Sequence, residues 1–407
     1  MPLPTPFAER THPLATSLAF KEWAGCLAPC RYSAYHEREY YALRHAATVM
    51  DATPLYKVDV TGPDAAELFS LVTVRNFERF STGRVAYTTW CDPRGKVLDD
   101  GTVMRLEENR WRFTSADSSV GWLSKHARGL DVKLVDTSRT IAALSLQGPR
   151  SREVLRGVVG DIADGLRFFR AQRTEFAGQE LLVTRTGYTG DLGYELWIAN
   201  DGAVDLWDAI IEAGRPHGLL PMGLDALDVS RVEAGFLLAG VEYSSAKDAF
   251  IPRQESTPYE LGFDWMVDLN KEYFVGRDAL VAEQRRGVAK RLVGLVVNWE
   301  RFEELCAGYG LPPGLETATC RLGVPVYRHG KQIGYATSRT WSPLLKQYLA
   351  LAHVPTADAT PGTELEIEVT LEYERRRCLA HVTPMPFFDP PRKKSTPDGA
   401  KAEVPSS

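Results

Sequence analysis

Residues 185–197 read RTGYTGDLGYELW. Glycines and small polar residues open the stretch, which marks a turn, and an apolar, aromatic run with one carboxylate, Glu195, closes it with the composition of a strand. Successive side chains of a strand point to opposite faces, so Gly193, Glu195 and Trp197 share one face and Leu192, Tyr194 and Leu196 the other. An acid on a solvated face is ordinary. On a face that lines a pocket it must be paired or hydrogen-bonded, because an isolated buried charge is costly. The pattern alone leaves both readings open.

Upstream, VTGPDAAELFS (60–70) and LQGPRSREVLR (146–156) echo one another: a strand end, a Gly-Pro turn and an amphipathic helix. The echo suggests one strand–turn–helix unit used twice, with the proline in the first helical turn, where its missing N–H has no partner to lose. Residues 84–115, RVAYTTWCDPRGKVLDDGTVMRLEENRWRFTS, read as three strands joined by a Pro-Arg-Gly turn and a Glu-Glu-Asn turn. AVDLWDAIIEAG (203–214) and LDALDVSRVEAG (224–235) carry apolar residues at helical spacing and end in glycine, a helix stop. From about residue 290 the texture changes to short, closely spaced strands, the pattern of a small barrel or sandwich. The expected layout is an irregular segment over 1–35, an α+β body over 36–285, a β domain over 286–388, and a tail from 389 to 407. That tail is too rich in Pro, Lys and Ser to fold alone.

Bulk properties narrow the function. With 407 residues, 44% of them hydrophobic, the chain can build two or three cores. Its 48 Lys and Arg against 53 Asp and Glu give no electrostatic case for nucleic acid or an anionic membrane. There is no basic–apolar–small order of a signal peptide near the start, and no apolar run of about 18 residues to span a bilayer. Six scattered cysteines, with only Cys26 and Cys30 close together, fit reduced thiols better than a zinc site. The expectation is a soluble, cytoplasmic protein without a metal.

Four positions could carry chemistry. Asp99-Asp100-Gly101 reads either as a hairpin signal or as paired acids presenting one carboxylate for proton handling. Arg231 by default makes a surface ion pair with the nearby Glu233. Tyr87 is most simply a sheet aromatic. Glu195 is ambiguous, as above. No phosphate loop, nucleophile elbow or metal cluster is present.

RTGYTGDLGYELW, with GKVLDDGTVMRL, SLQGPRS, SRVEAG, KRLVGL and GYATSRTWSP in that order, resembles the aminomethyltransferase (glycine-cleavage T protein) family. That family includes folate-dependent demethylases and the C-terminal halves of sarcosine and dimethylglycine dehydrogenases. The resemblance spans about residues 40–388. It implies an α+β fold, a folate-binding body of two related α/β subdomains with a C-terminal β-barrel, and tetrahydrofolate in a central channel. It further implies that Glu195 accepts the two adjacent N–H donors of the pterin, a bidentate charge-assisted pairing. Gly187, Gly190 and Gly193 would let the backbone approach that flat ligand. Asp100 matches the catalytic acid beside the accepting amine, with Asp99 as its neighbour, and Tyr87, Tyr188 and Arg231 match cofactor-site positions. The partners implied are folate and a small methyl donor.

Two departures shift the expected activity. DATPL (51–55) stands where glycine-cleavage enzymes have DVSHM, and Leu227 stands where they have an arginine for the folate tail. Both resemble the demethylase and dehydrogenase-linked branches, so demethylase-like one-carbon transfer is expected over glycine cleavage. A non-catalytic folate-binding factor for iron–sulfur cluster assembly is the other expectation. It is marked elsewhere by a Cys-containing KGCYxGQE element, and this chain has no cysteine between Cys91 and Cys306.

Overall fold

The computed structural model describes residues 2–396. The first 35 residues are more regular than their prolines suggest. They form a helix (Ala8–Leu14) and a hairpin of β1 (Phe20–Trp23) and β2 (Cys26–Pro29). Phe7 is fully buried beside Trp207, at a ring separation of 6.1 Å, and this apolar anchor is what orders the segment. Strand β3 (Ala47–Asp51) then leads into the first sheet: β4 (Tyr56–Thr61), β5 (Val85–Cys91), β6 (Val97–Glu107), β7 (Arg110–Ser115) and β8 (Lys133–Asp136), ordered β5-β6-β7-β4-β8. The second sheet takes β9 (Ile141–Gln147), β10 (Ala171–Phe176), β11 (Gln179–Thr184), β12 (Gly193–Ala199) and β13 (Leu219–Pro221), ordered β10-β11-β12-β9-β3-β13.

The sequence echo is a structural one. β4 and β9 each end at a glycine followed by a helix, Ala65–Val72 and Ser151–Val159. Gly62 and Gly148 have φ of +138° and +116°, and a Cβ there would lie 2.1 Å from the Asp131 carbonyl and 2.7 Å from that of Leu43. Only glycine fits such a turn. Pro63 and Pro149 sit before the helices, not in their first turn as expected.

One packed contact between the two sheets positions everything that follows. Val85 and Met104 of the first sheet meet Ala143, Leu182 and Trp197 of the second in a shared core. Strand alternation puts Tyr87 and Asp100 on the same face as Val85 and Met104, and Glu195 on the same face as Trp197. The faces carrying the two candidate acids therefore oppose one another.

The remaining strands, β14 (Lys290–Val297), β15 (Val324–Arg328), β16 (Lys331–Ser342), β17 (Gln347–Pro355), β18 (Glu364–Leu371) and β19 (Glu374–Thr383), close a barrel in the order β14-β17-β16-β15-β18-β19. Its outer face docks on the body through Leu292, Val296, Leu349 and Leu351, packed against Val74, Val97 and Phe274. The architecture is thus α+β, two related α/β subdomains and a C-terminal barrel. The chain beyond the barrel is ordered further than its composition predicts: residues 389–396 lie against the body, and 397–407 fall outside the described residues.

Candidate functional site

Asp99-Asp100-Gly101 is not a hairpin. It lies within β6, paired to β5 with Thr89 opposite Asp100 and Thr88 opposite Gly101. Glycine is needed for another reason: a Cβ at 101 would sit 1.8 Å from the Thr114 carbonyl of β7. Alternation separates the two acids. Asp99 is buried, while Asp100 keeps part of its surface open. Each Asp100 oxygen receives a phenol: Tyr87 donates to Oδ2 at 2.7 Å, and Tyr243 donates to Oδ1. The Asp99 carboxylate accepts the Asp100 N–H at 2.9 Å and the Asp117 N–H at 3.1 Å. The Tyr243 oxygen lies 3.3 Å from Asp99 Oδ1.

Burial pushes both carboxyls above the ordinary aspartate range. The charge of Asp100 raises Asp99 further, while the two phenols stabilise the ionised form of Asp100. Tyr87 and Tyr243 are held firmly protonated by burial and by these acids. Sequence reading missed Tyr243. Nothing local in GVEYSS marks it, because its contact with Asp100 exists only once the 236–250 loop folds back over β6.

Glu195 is half-buried on β12, opposite Thr184 of β11 and Ser145 of β9. Its Oε2 accepts from Thr186 at 2.6 Å and Thr184 at 3.3 Å, and among the described residues no side chain donates to Oε1. Burial raises its pKa, and the two threonine hydroxyls only partly offset that. The acid is thus hydrogen-bonded through one oxygen and open at the other. The glycines around it are required by the protein's own packing. A Cβ at Gly187 or Gly193 would lie 2.1 or 1.9 Å from the Gln147 amide oxygen, and one at Gly190 would lie 2.6 Å from Ala234 Cβ.

Tyr188, in the β11–β12 loop, bonds the Leu237 carbonyl and stacks on Phe236 at 5.5 Å. Arg231 is not a surface residue, and Glu233 is not its partner. It is buried and donates to Asp228, Glu242 and the Ser338 hydroxyl at 2.7 Å each, and to the Phe236 carbonyl. A bulge in β16 at Ala336/Ser338 turns Thr337 and Ser338 together onto the same Glu242 oxygen. Glu233 instead holds Arg44, Tyr40 and Ser342. Arg231 thus ties body to barrel directly behind Tyr188. Leu227 packs in the apolar cluster of Tyr40, Met222 and Leu224, and Asp51 is bonded by the Thr5 hydroxyl and the Thr53 N–H. Two surface depressions, of about 340 and 220 Å3, lie away from this site, one against Gly83 and Arg173, the other against Trp299 and Trp341.

Residues 14–271 match the family described as GCVT N-terminal domain, and residues 311–389 the glycine cleavage T-protein C-terminal barrel domain. The aminomethyltransferase of Streptomyces coelicolor is 35% identical over 92% of this chain and 95% of its own length. That of Halothermothrix orenii is 31% identical over 90% and 95%. The trimethylamine-oxide aldolase of Ruegeria pomeroyi is 34% identical over 90% of this chain, which spans only 45% of that larger protein. The glycine cleavage system aminomethyltransferase T of Bartonella henselae superposes with a TM-score of 0.80 over 96% of this chain and 99% of its own, at 24% identity, and so shares the fold. The chain belongs to the glycine-cleavage T-protein family of aminomethyltransferases.

Proposed function

We propose that the protein transfers a one-carbon unit from a small methylated donor to tetrahydrofolate, acting as a demethylase rather than in glycine cleavage. The observation that carries this reading is the Glu195 carboxylate, held by two threonines through one oxygen and open at the other, on a wall facing Asp100. That arrangement fits a ligand with two adjacent N–H donors, as a pterin has. Bound tetrahydrofolate supplies the secondary amine that accepts the carbon.

The chain's residues do the rest. Glu195 fixes the orientation of the flat ring. Tyr188 and Phe236 present a stacked aromatic surface, and Arg231 holds the Asp228–Glu242 network behind them. Asp100, aimed by Tyr87 and Tyr243, takes or returns a proton at the reacting amine. Holding two reactants in register can lower a barrier by roughly 7–11 kcal/mol, so few catalytic side chains are needed. The missing histidine of DVSHM, whose place Pro54 takes in DATPL (51–55), and Leu227 in place of an arginine favour demethylation, as does the similarity to a trimethylamine-oxide aldolase. Free cysteines and the lack, among the described residues, of a helix long and apolar enough to cross a membrane accord with work in the cytoplasm on small molecules.

Thermal unfolding tests the binding step. Tetrahydrofolate at 100 times its Kd should stabilise the protein by about 2.7 kcal/mol. p-Aminobenzoylglutamate, which lacks the pterin, should do far less. Equal effects of the two, or none from either, would remove Glu195 from a pterin site.

A further inference from the structure

Tyr243 occupies an unusual position. Its hydroxyl reaches Oδ1 of Asp100 and also lies 3.3 Å from Oδ1 of Asp99. A phenol has one proton to donate, so it cannot satisfy both carboxylates at once. Asp99 and Asp100 are adjacent on one strand, yet alternation sends them to opposite faces. Asp100 opens toward the candidate site, whereas Asp99 is buried and turned toward Asp117, whose own carboxylate is exposed and paired with Lys247. The phenol is the connection between a carboxylate that meets ligand and one that does not.

We infer that Tyr243 joins Asp99 and Asp100 into one proton-sharing unit, through which a proton accepted at Asp100 is passed on to Asp99. This rests on the one-carbon-transfer reading for its purpose but not for its existence. The step balances as two proton transfers. The new Asp100 O–H bond breaks as its proton moves to the Tyr243 oxygen, and the phenol's own O–H bond breaks as that proton moves to Asp99 Oδ1. The phenol is regenerated, no electrons change hands, and one negative charge moves from Asp99 to Asp100. Asp100 is thereby returned to its ionised form while still facing the ligand. Tyr243 acts here as a positioning and relay residue.

The surroundings suit such a unit. Tyr87 donates to the other Asp100 oxygen, Tyr188 lies near enough to feel its charge, and Lys247 feels the charge of Asp99. Arg231 and Glu242, paired with one another, face Tyr188 from behind with opposite charges. No cation pairs directly with either aspartate among the described residues, so two full negative charges side by side are disfavoured, and sharing a proton relieves the repulsion. Burial raises both carboxyls in the same sense.

The test uses the whole chain with 13C-labelled aspartate and no ligand, following carboxyl titration by NMR. The wild type should show Asp99 and Asp100 titrating as a coupled pair in two steps. Tyr243→Phe should shift the Asp100 titration to higher pH, because its carboxylate loses a donor. Asp99→Asn should shift it to lower pH, because a like charge is gone. Independent titration in the wild type, or no shift in Tyr243→Phe, overturns the unit. Turnover gives the second readout. Each single variant should lose kcat about 10²-fold, the low end for acid–base groups, with folate Kd unchanged. The double variant should lose no more than the worse single one, since the relay is already broken. Multiplicative losses overturn the relay. If the wild type makes no product with any donor, the functional reading fails while the titration still decides the unit.

Discussion

Glu195→Gln separates binding from stability, because the structure demands opposite changes in the two. The native pKa of Glu195 is raised above the ordinary 4.5 by burial. The unfolded chain therefore loses that proton first, and the folded state becomes relatively less favourable as pH rises through the window that begins near 4.5. Glutamine removes the penalty, so the ligand-free variant should be more stable than the wild type at pH 7, with the advantage vanishing below about pH 4. Binding should move the other way. The threonines occupy Oε2, so a glutamine that keeps its carbonyl on Thr186 must place its NH2 group where Oε1 was. One charge-assisted acceptor becomes a donor facing the ligand's donor. Losing such a bond costs about 1.5–3 kcal/mol, or roughly a 10- to 150-fold weaker Kd for tetrahydrofolate. Anaerobic calorimetric titration gives the Kd, and urea unfolding at pH 4 and pH 7 gives the stability. An affinity within threefold of wild type would refute the assignment of Glu195 to the pterin, and a variant less stable at pH 7 would refute the account of its burial.

Further outcomes follow from the same structure. Asp100→Asn keeps the strand but removes the charge that the two phenols aim, and should lower kcat by roughly 10²–10⁴-fold with folate Kd little changed; steady-state rates beside calorimetry check this. Gly101→Ala drives a methyl into the Thr114 carbonyl and should cost about 1–3 kcal/mol in urea unfolding as the β6–β7 pairing shifts. Arg185 is fully buried and donates to the carbonyls of Arg392, Lys393 and Ser395, so Arg185→Ala should expose residues 389–396 to limited proteolysis while the barrel stays resistant. His353 is buried with its pKa pushed down to about 4 from 6.5. The unfolded chain takes up its proton first, so stability should fall as pH drops from 6.5 toward 4, and His353→Gln should flatten that slope.

The strands and helices of the body were legible because their signals are local. Alternation over 85–115 reads directly as β5, β6 and β7, and the Gly-Pro echo marks two positions where the backbone itself excludes a side chain. Two local signals misled. Asp-Gly marks a turn when the chain is free to bend, but here glycine answers to a neighbouring strand's carbonyl. Arg231 and Glu233 are close in sequence and leave the helix toward different partners, Glu242 and Ser338 for one, Arg44 and Ser342 for the other. Those partners are set by how barrel and body dock, which no short window contains. The same holds for Tyr243, and for the ordered run to residue 396, whose carbonyls are captured by Arg185. Composition says nothing of what that run packs against.

Transfer of a carbon to folate is read from the folate product itself. The protein is incubated anaerobically with tetrahydrofolate and, separately, with N-, O- and S-methyl donors, and the folate species are resolved by mass spectrometry. The wild type should form 5-methyltetrahydrofolate from at least one donor, and Asp100→Asn should abolish it. Accumulation of 5,10-methylenetetrahydrofolate instead would contradict the demethylase reading, and bound but unconverted folate across the whole panel would contradict one-carbon transfer itself.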